Sequence, residues 1–263
     1  SDLDDPRRPV LENYANIVLA TYEDTLQAAK ALYASVDALL AAPSEQALAD
    51  ARDKWRAARV PYGQSEAFRF YGGPIDGEGG PEGQLNGWPL DENHIDAVGR
   101  GYNAAPGLNI VGNPKAFPSI TPQLISQQNE AGGEKNIASG YHAIEFLLWG
   151  QDLSETGPGD RSVEDYGDGE TPSADRRRQY LTVTTELLVD DLAGLAKAWA
   201  PATKGNYRAR FEQGGKESVR KILVGLGSLS RGELAGERLE VALNSQDQED
   251  EHSCFSDNTH RDA

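Results

Sequence analysis

His142 and Glu145 are the residues of this chain whose types and spacing most directly invite chemistry. They stand three apart in Gly140-Tyr141-His142-Ala143-Ile144-Glu145-Phe146-Leu147-Leu148-Trp149, and no other side chain in that run is charged near neutral pH. On a helix, a spacing of three puts both on one face, about 60° apart around the axis. Tyr141, Ile144 and Leu148 form an apolar stripe beside them, widened by Phe146 and Trp149, so the helix is predicted to be buried nearly all round. An imidazole and a carboxylate in such a place need each other, another polar group, or a metal ion. The plain structural reading is a hydrogen-bonded pair. The chemical reading is metal ligation, because helical bundles hold metals with inward Glu and His side chains, and Glu-x-x-His is a di-iron arrangement whose order is reversed here. Imidazole suits Zn, Cu, Fe and Ni, and carboxylates shift the preference toward harder ions such as Fe and Mn. Iron and zinc are both compatible with such a donor pair, and a lone Cys254 excludes a thiolate-rich site.

Other carboxylates widen the candidate set. Glu66, in Glu66-Ala67-Phe68-Arg69-Phe70, reads either as a third oxygen ligand or as the partner of Arg69 in an i, i+3 ion pair. Asp91 fits the N-cap of a short helix and is a secondary candidate. Residues 247–260 carry Asp247, Glu249, Asp250, Glu251, His252, Asp257 and His260, which in isolation would be a solvated acidic run. The interleaved Cys254 and Phe255 argue against a purely exposed tail, and Cys254 reads as a small buried residue rather than a nucleophile. A zinc peptidase needs a metal-bound water and a general base, usually from a His-Glu-x-x-His run. The chain has no such run and no Gly-x-Ser-x-Gly elbow. Chemistry alone thus favours binding over proteolysis, with Glu145 and His142 the catalytic candidates if it is a peptidase.

The elements that must position these residues are helical. Apolar side chains recur at helical spacing over residues 9–41, and Pro43 ends that run. Ser44 is placed to cap a second helix through Trp55 and Ala58, with a break or kink at Pro61 and two more turns over 66–71. Residues 72–135, punctuated by Gly, Pro, Asn and Asp, predict long ordered loops with short helices near 91–98 and 122–129. A polar loop over 152–173 is the best candidate for mobility. Helices are predicted over 174–199, 207–211, 216–229 and 232–243. Strand-like alternation is scarce, so the fold class is all-α, of the bundle type.

Composition bounds the partners. The chain of 263 residues holds 42 acidic against 25 basic side chains, a formal net charge of −17. Such a surface repels nucleic acid and anionic membranes and suits cationic partners. No stretch approaches the roughly 20 apolar residues of a membrane span. The start at Ser1, without an initiator methionine, reads as a mature form whose signal peptide has been removed.

Four blocks together resemble the imelysin, or M75 peptidase-like, family. They are Gly140–Asp152, which carries the GxHxxE signature, Tyr62–Phe70, Trp88–Glu92 and Gln248–His260. The resemblance implies two four-helix-bundle-like halves from an internal duplication, joined by long ordered loops, with the signature helix at the cleft between them. The corresponding division is a first bundle over 1–151, a polar loop over 152–173, and a second bundle over 174–263 that reads as incomplete in this chain. It implies a secreted protein of the periplasm or the outer-membrane or cell surface, associated with iron uptake. Its cargo would be a metal ion or an iron-bearing ligand, passed to an outer-membrane or surface partner. His142, Glu145 and Glu66 are the expected metal ligands, with Arg69, Asp91, Glu249, His252 and Asp257 around the cleft. The alternatives are an M75-type metallopeptidase using the same helix and a non-catalytic surface interaction module.

Overall fold

The computed structural model describes residues 5–98, 109–154, 156–167, 173–201, 203–246 and 252–258, and every regular element among them is helical. In chain order these are α1 (Arg8–Ala41), α2 (Glu45–Ser65), α3 (Glu82–Asn86), α4 (Glu92–Ile95), α5 (Pro122–Gln128), α6 (Gly140–Trp149), α7 (Ala174–Ala198), α8 (Tyr207–Glu212) and α9 (Gly215–Ser228). A π-helical stretch over Leu229–Glu240 then runs into α10 (Val241–Ser245), and single 3₁₀ turns cover Glu66–Phe68, Val163–Tyr166 and Cys254–Ser256.

Buried residues of α1 alternate in steps of four and three: Leu11, Ala15, Val18, Tyr22, Thr25, Ala29, Leu32, Val36, Leu39. α2 repeats the rule with Leu48, Ala51, Trp55, Ala58, Tyr62 and Ser65. This seam is what left-handed bundle packing near a +20° crossing requires. α1 packs on α2 and α7, while the fully buried α6 fills the space between α2 and α7, closing a four-helix bundle. Ser44 caps α2 as its position predicts, accepting a hydrogen bond from the Ala47 amide at 3.2 Å.

α7 packs against α1 and α6. The structure corrects two expectations. α2 continues through Pro61, because burial of Tyr62 and Ser65 holds the turn beyond it. The two turns expected over 66–71 reduce to one 3₁₀ turn, since Phe70 takes φ +71°. Elements after α8 are less enclosed: Leu223, Leu226, Leu239, Val241 and Leu243 are all exposed.

Two polar ties lock the short helices to the bundle. Asp96, just past α4, accepts from Arg177 of α7 at 2.5 Å and lies 3.4 Å from Arg161. Burial opposes its charge, yet the two guanidiniums hold its carboxyl below the usual range. Asp191 of α7 accepts from Gln84 of α3 at 2.7 Å, and partial burial pushes its carboxyl up to about 6. The folded state therefore binds this proton more tightly than the unfolded chain. Its stabilising contribution is fully present below the ordinary value of 3.8 and is lost as pH rises through about 6. Asp191→Asn keeps an acceptor for Gln84 and should raise stability near pH 8 by about 1 kcal/mol, discounted for its exposure, with little change near pH 4. Urea titrations at both pH values check this.

Candidate functional site: a buried His–Glu pair behind an acidic cleft

A fully buried helix must satisfy its last four carbonyls without water, and α6 does so with groups drawn from three segments. Phe146 O accepts from the Gly150 amide at 2.8 Å and from Arg161 at 3.4 Å. Leu147 O accepts from the Tyr166 hydroxyl. Leu148 O takes two N–H groups of Arg52, at 2.9 and 3.1 Å. Trp149 O accepts from the Arg161 amide at 2.8 Å. At the other end, Gly140 has φ +82°, and a Cβ there would collide with the carbonyl oxygens of Gln84 and Leu85. The glycine of the signature is thus fixed by the close approach of α3 and by its left-handed backbone.

So held, His142 and Glu145 are both fully buried, and His142 Nδ1 lies 2.9 Å from Glu145 Oε2. The other oxygen, Oε1, accepts from the Ser256 amide at 3.0 Å and the Ser256 hydroxyl at 2.6 Å. The 3₁₀ turn Cys254–Ser256 is therefore pinned onto the signature helix across 111 residues of sequence. Burial raises the Cys254 thiol well above its ordinary range, so it is a protonated core group.

Outward from the pair stands a group of rings. The Trp88 and His142 rings are 4.7 Å apart, and His252 lies 5.7 Å from Trp88 and 6.3 Å from His142. Burial, with His142 alongside, lowers His252 to about 3, so it is neutral at physiological pH. Trp88 and His252 form the inner wall of a cleft of about 440 Å³ that also exposes Glu82, Glu130, Glu134, Glu233 and Glu237 against Arg69 alone among cations. Burial raises the Glu82 carboxyl, with Arg69 pulling the other way.

The predicted site residues separate into distinct places. Glu66 is buried but is held by Arg238 of the π-helical stretch, with Arg69 3.4 Å away. Arg69 also reaches Glu82 at 3.0 Å, and Arg238 reaches Glu233 at 3.0 Å. The i, i+3 pairing of Glu66 with Arg69 is thus one part of a larger buried ion cluster. Asp91 caps α4, accepting from the Asn93 amide at 3.0 Å. Asp257 is exposed, and Glu249 lies outside the described residues.

An iron or zinc ion bound by His142, Glu145 and Glu66 does not fit this arrangement. Both Glu145 oxygens carry protein hydrogen bonds, and Arg238 holds one of the two Glu66 oxygens. Among the described residues no group of three or more His, Cys, Asp or Glu side chains is placed to hold a metal ion.

Sequence reasoning missed Ser256, Arg52, Arg161, Tyr166 and Arg238. Residues 152–173 read as mobile, yet Arg161, Asp165 and Tyr166 within them are buried. The only available signal was an arginine and a tyrosine inside an otherwise Gly- and Asp-rich loop.

Comparison with known proteins agrees with this architecture. The family model for imelysin, Peptidase M75, matches residues 18–263. Iron-regulated protein A of Synechococcus elongatus is 25% identical over 252 residues, covering 92% of this chain, which spans only 57% of that protein's length. A crystal structure of an iron-regulated protein A precursor from Parabacteroides distasonis superposes with a TM-score of 0.68 at 22% identity, covering 98% of this chain and 70% of that one. An imelysin-like protein from Psychrobacter arcticum gives 0.58 at 14% identity, over 94% and 71% of the two chains. At these identities the likeness to the two solved structures is one of fold. The chain belongs to the imelysin family.

Proposed function

We propose that this protein is a binding protein of iron acquisition that receives a cationic, iron-bearing cargo in the acidic cleft beside Trp88 and His252. The observation that carries this reading is the charge of the cleft: five glutamates and one arginine line a cavity of ligand size, and Glu130, Glu134 and Glu237 remain beyond the pairs Glu82–Arg69 and Glu233–Arg238. A carboxylate-lined cleft attracts a cation that brings its own ligand shell, so a protein-built metal cage is not required. His142 and Glu145 act from behind, fixing the wall that carries Trp88 and the Cys254–Ser256 turn. The names of the relatives, iron-regulated proteins, suggest iron as the metal carried. The same reading puts the protein in the periplasm or at the cell surface, where it would pass cargo to an uptake partner. No described helix is long and apolar enough to cross a membrane.

Calorimetric titration with iron(II) and with the substitution-inert cobalt(III) hexaammine cation tests this. Both probes should bind, and Glu134→Gln combined with Glu237→Gln, two exposed positions, should weaken binding by about tenfold at low salt. Unchanged affinity in that variant would remove the cleft from the account.

A further inference from the structure

A second cavity, of about 470 Å³, shares the buried ion cluster with the acidic cleft but has the opposite charge. Glu66 and Arg238 of that cluster line this cavity, whereas Arg69, Glu82 and Glu233 line the cleft. Arg56 and Arg59 of α2 add two further guanidiniums, so three arginines and one carboxylate line the cavity, with Arg56 also 3.2 Å from Asp53 at its edge. Arg59 is almost fully buried and is fixed in place, donating to Asn86 at 2.6 Å with its guanidinium 5.0 Å from the Tyr141 ring.

Two residues that line this cavity each carry a buried polar atom without a hydrogen-bond partner among the described residues. Glu66 is 1% exposed, and its Oε1 accepts no hydrogen bond, although Oε2 is held by Arg238. Asn258 is 2% exposed, and its Nδ2 donates to none of the described residues. Unsatisfied groups of this kind are costly and call for a partner. Val60, Leu229 and Leu234 supply an apolar side. The cavity thus offers guanidinium and amide donors for an anion, a lone carboxylate oxygen for a donor, and hydrocarbon for what lies between.

We infer that this cavity binds a small organic carboxylate that also carries a hydrogen-bond donor, as hydroxy acids and amino acids do. The carboxylate meets Arg56, Arg59 and Asn258, and the hydroxyl or ammonium donates to Glu66 Oε1. The site is separate from the cleft proposed for cationic cargo and does not depend on it.

Calorimetry of the full chain with citrate, its hydroxyl-free analogue tricarballylate, glutamate and inorganic phosphate tests the inference. Citrate or glutamate should bind, and citrate should exceed tricarballylate by about tenfold, the worth of one hydrogen bond to a charged group. Asn258→Asp should cost about tenfold and Arg56→Gln about fivefold, with circular dichroism unchanged. Glu66→Gln should abolish the preference for citrate over tricarballylate. If that variant fails to fold, Asn258→Asp and Arg56→Gln still decide. Equal binding of citrate and tricarballylate, phosphate binding as tightly as either acid, or indifference to both variants would overturn the inference. Because the cleft variant Glu134→Gln with Glu237→Gln leaves this cavity intact, loss of cation binding there and loss of carboxylate binding here are separable.

Discussion

Gly140→Ala should be the most damaging glycine-to-alanine substitution among the described residues, lowering stability by about 4 kcal/mol or more. Two costs add. The residue sits at φ +82°, where an L side chain is strained. The new Cβ would also press on the carbonyl oxygens of Gln84 and Leu85, which are backbone atoms and cannot rotate away. Relief requires α3 and α6 to part, and that would disturb Ser139, whose hydroxyl donates to Gln84 O at 2.9 Å. Gly194, inside α7 with nothing near its Cβ position, is the contrasting case. There the same change should stabilise by about 0.5–1 kcal/mol, through helix propensity. Guanidinium unfolding of the two variants measures the contrast directly, and comparable destabilisation by both would contradict the close approach described for α3.

Glu145→Ala carries the second large effect. It removes the acceptor for His142 Nδ1 and for both donors of Ser256, all in a dry setting. Truncating one member of such a network costs about 3–5 kcal/mol. Glu145→Gln retains an oxygen for Ser256 and should cost only about 1–2 kcal/mol. Because the pair supports the cleft wall instead of lining it, Glu145→Gln should keep cation affinity within about twofold of the parent. A double-mutant cycle between Glu145 and Ser256, read by denaturant unfolding, should give a coupling of about 2 kcal/mol. A coupling near zero would mean the Cys254–Ser256 turn is not anchored through this carboxylate.

The helical frame was legible in the sequence because its rule is local. The four-and-three spacing of apolar residues in α1 and α2 and the unbroken apolar run of α6 each follow from residues within one helix. The pairing of His142 with Glu145 was legible for the same reason. What escaped is long-range. Glu66 has the right type for a metal ligand, but its partner Arg238 is 172 positions away, and no local pattern reports that a guanidinium will occupy it. Arg161 looks like one more charge in a polar loop until the carbonyls of α6 are known to need donors. Ser256 sits beside the conspicuous Cys254 and Phe255, and its worth depends wholly on Glu145 arriving from another segment.

Anomalous scattering from a crystal grown with iron tests the central claim most directly. The account predicts a peak in the cleft bounded by Trp88, His252 and the glutamates at 134, 233 and 237. A peak between His142 and Glu145, with their mutual hydrogen bond broken, would contradict it.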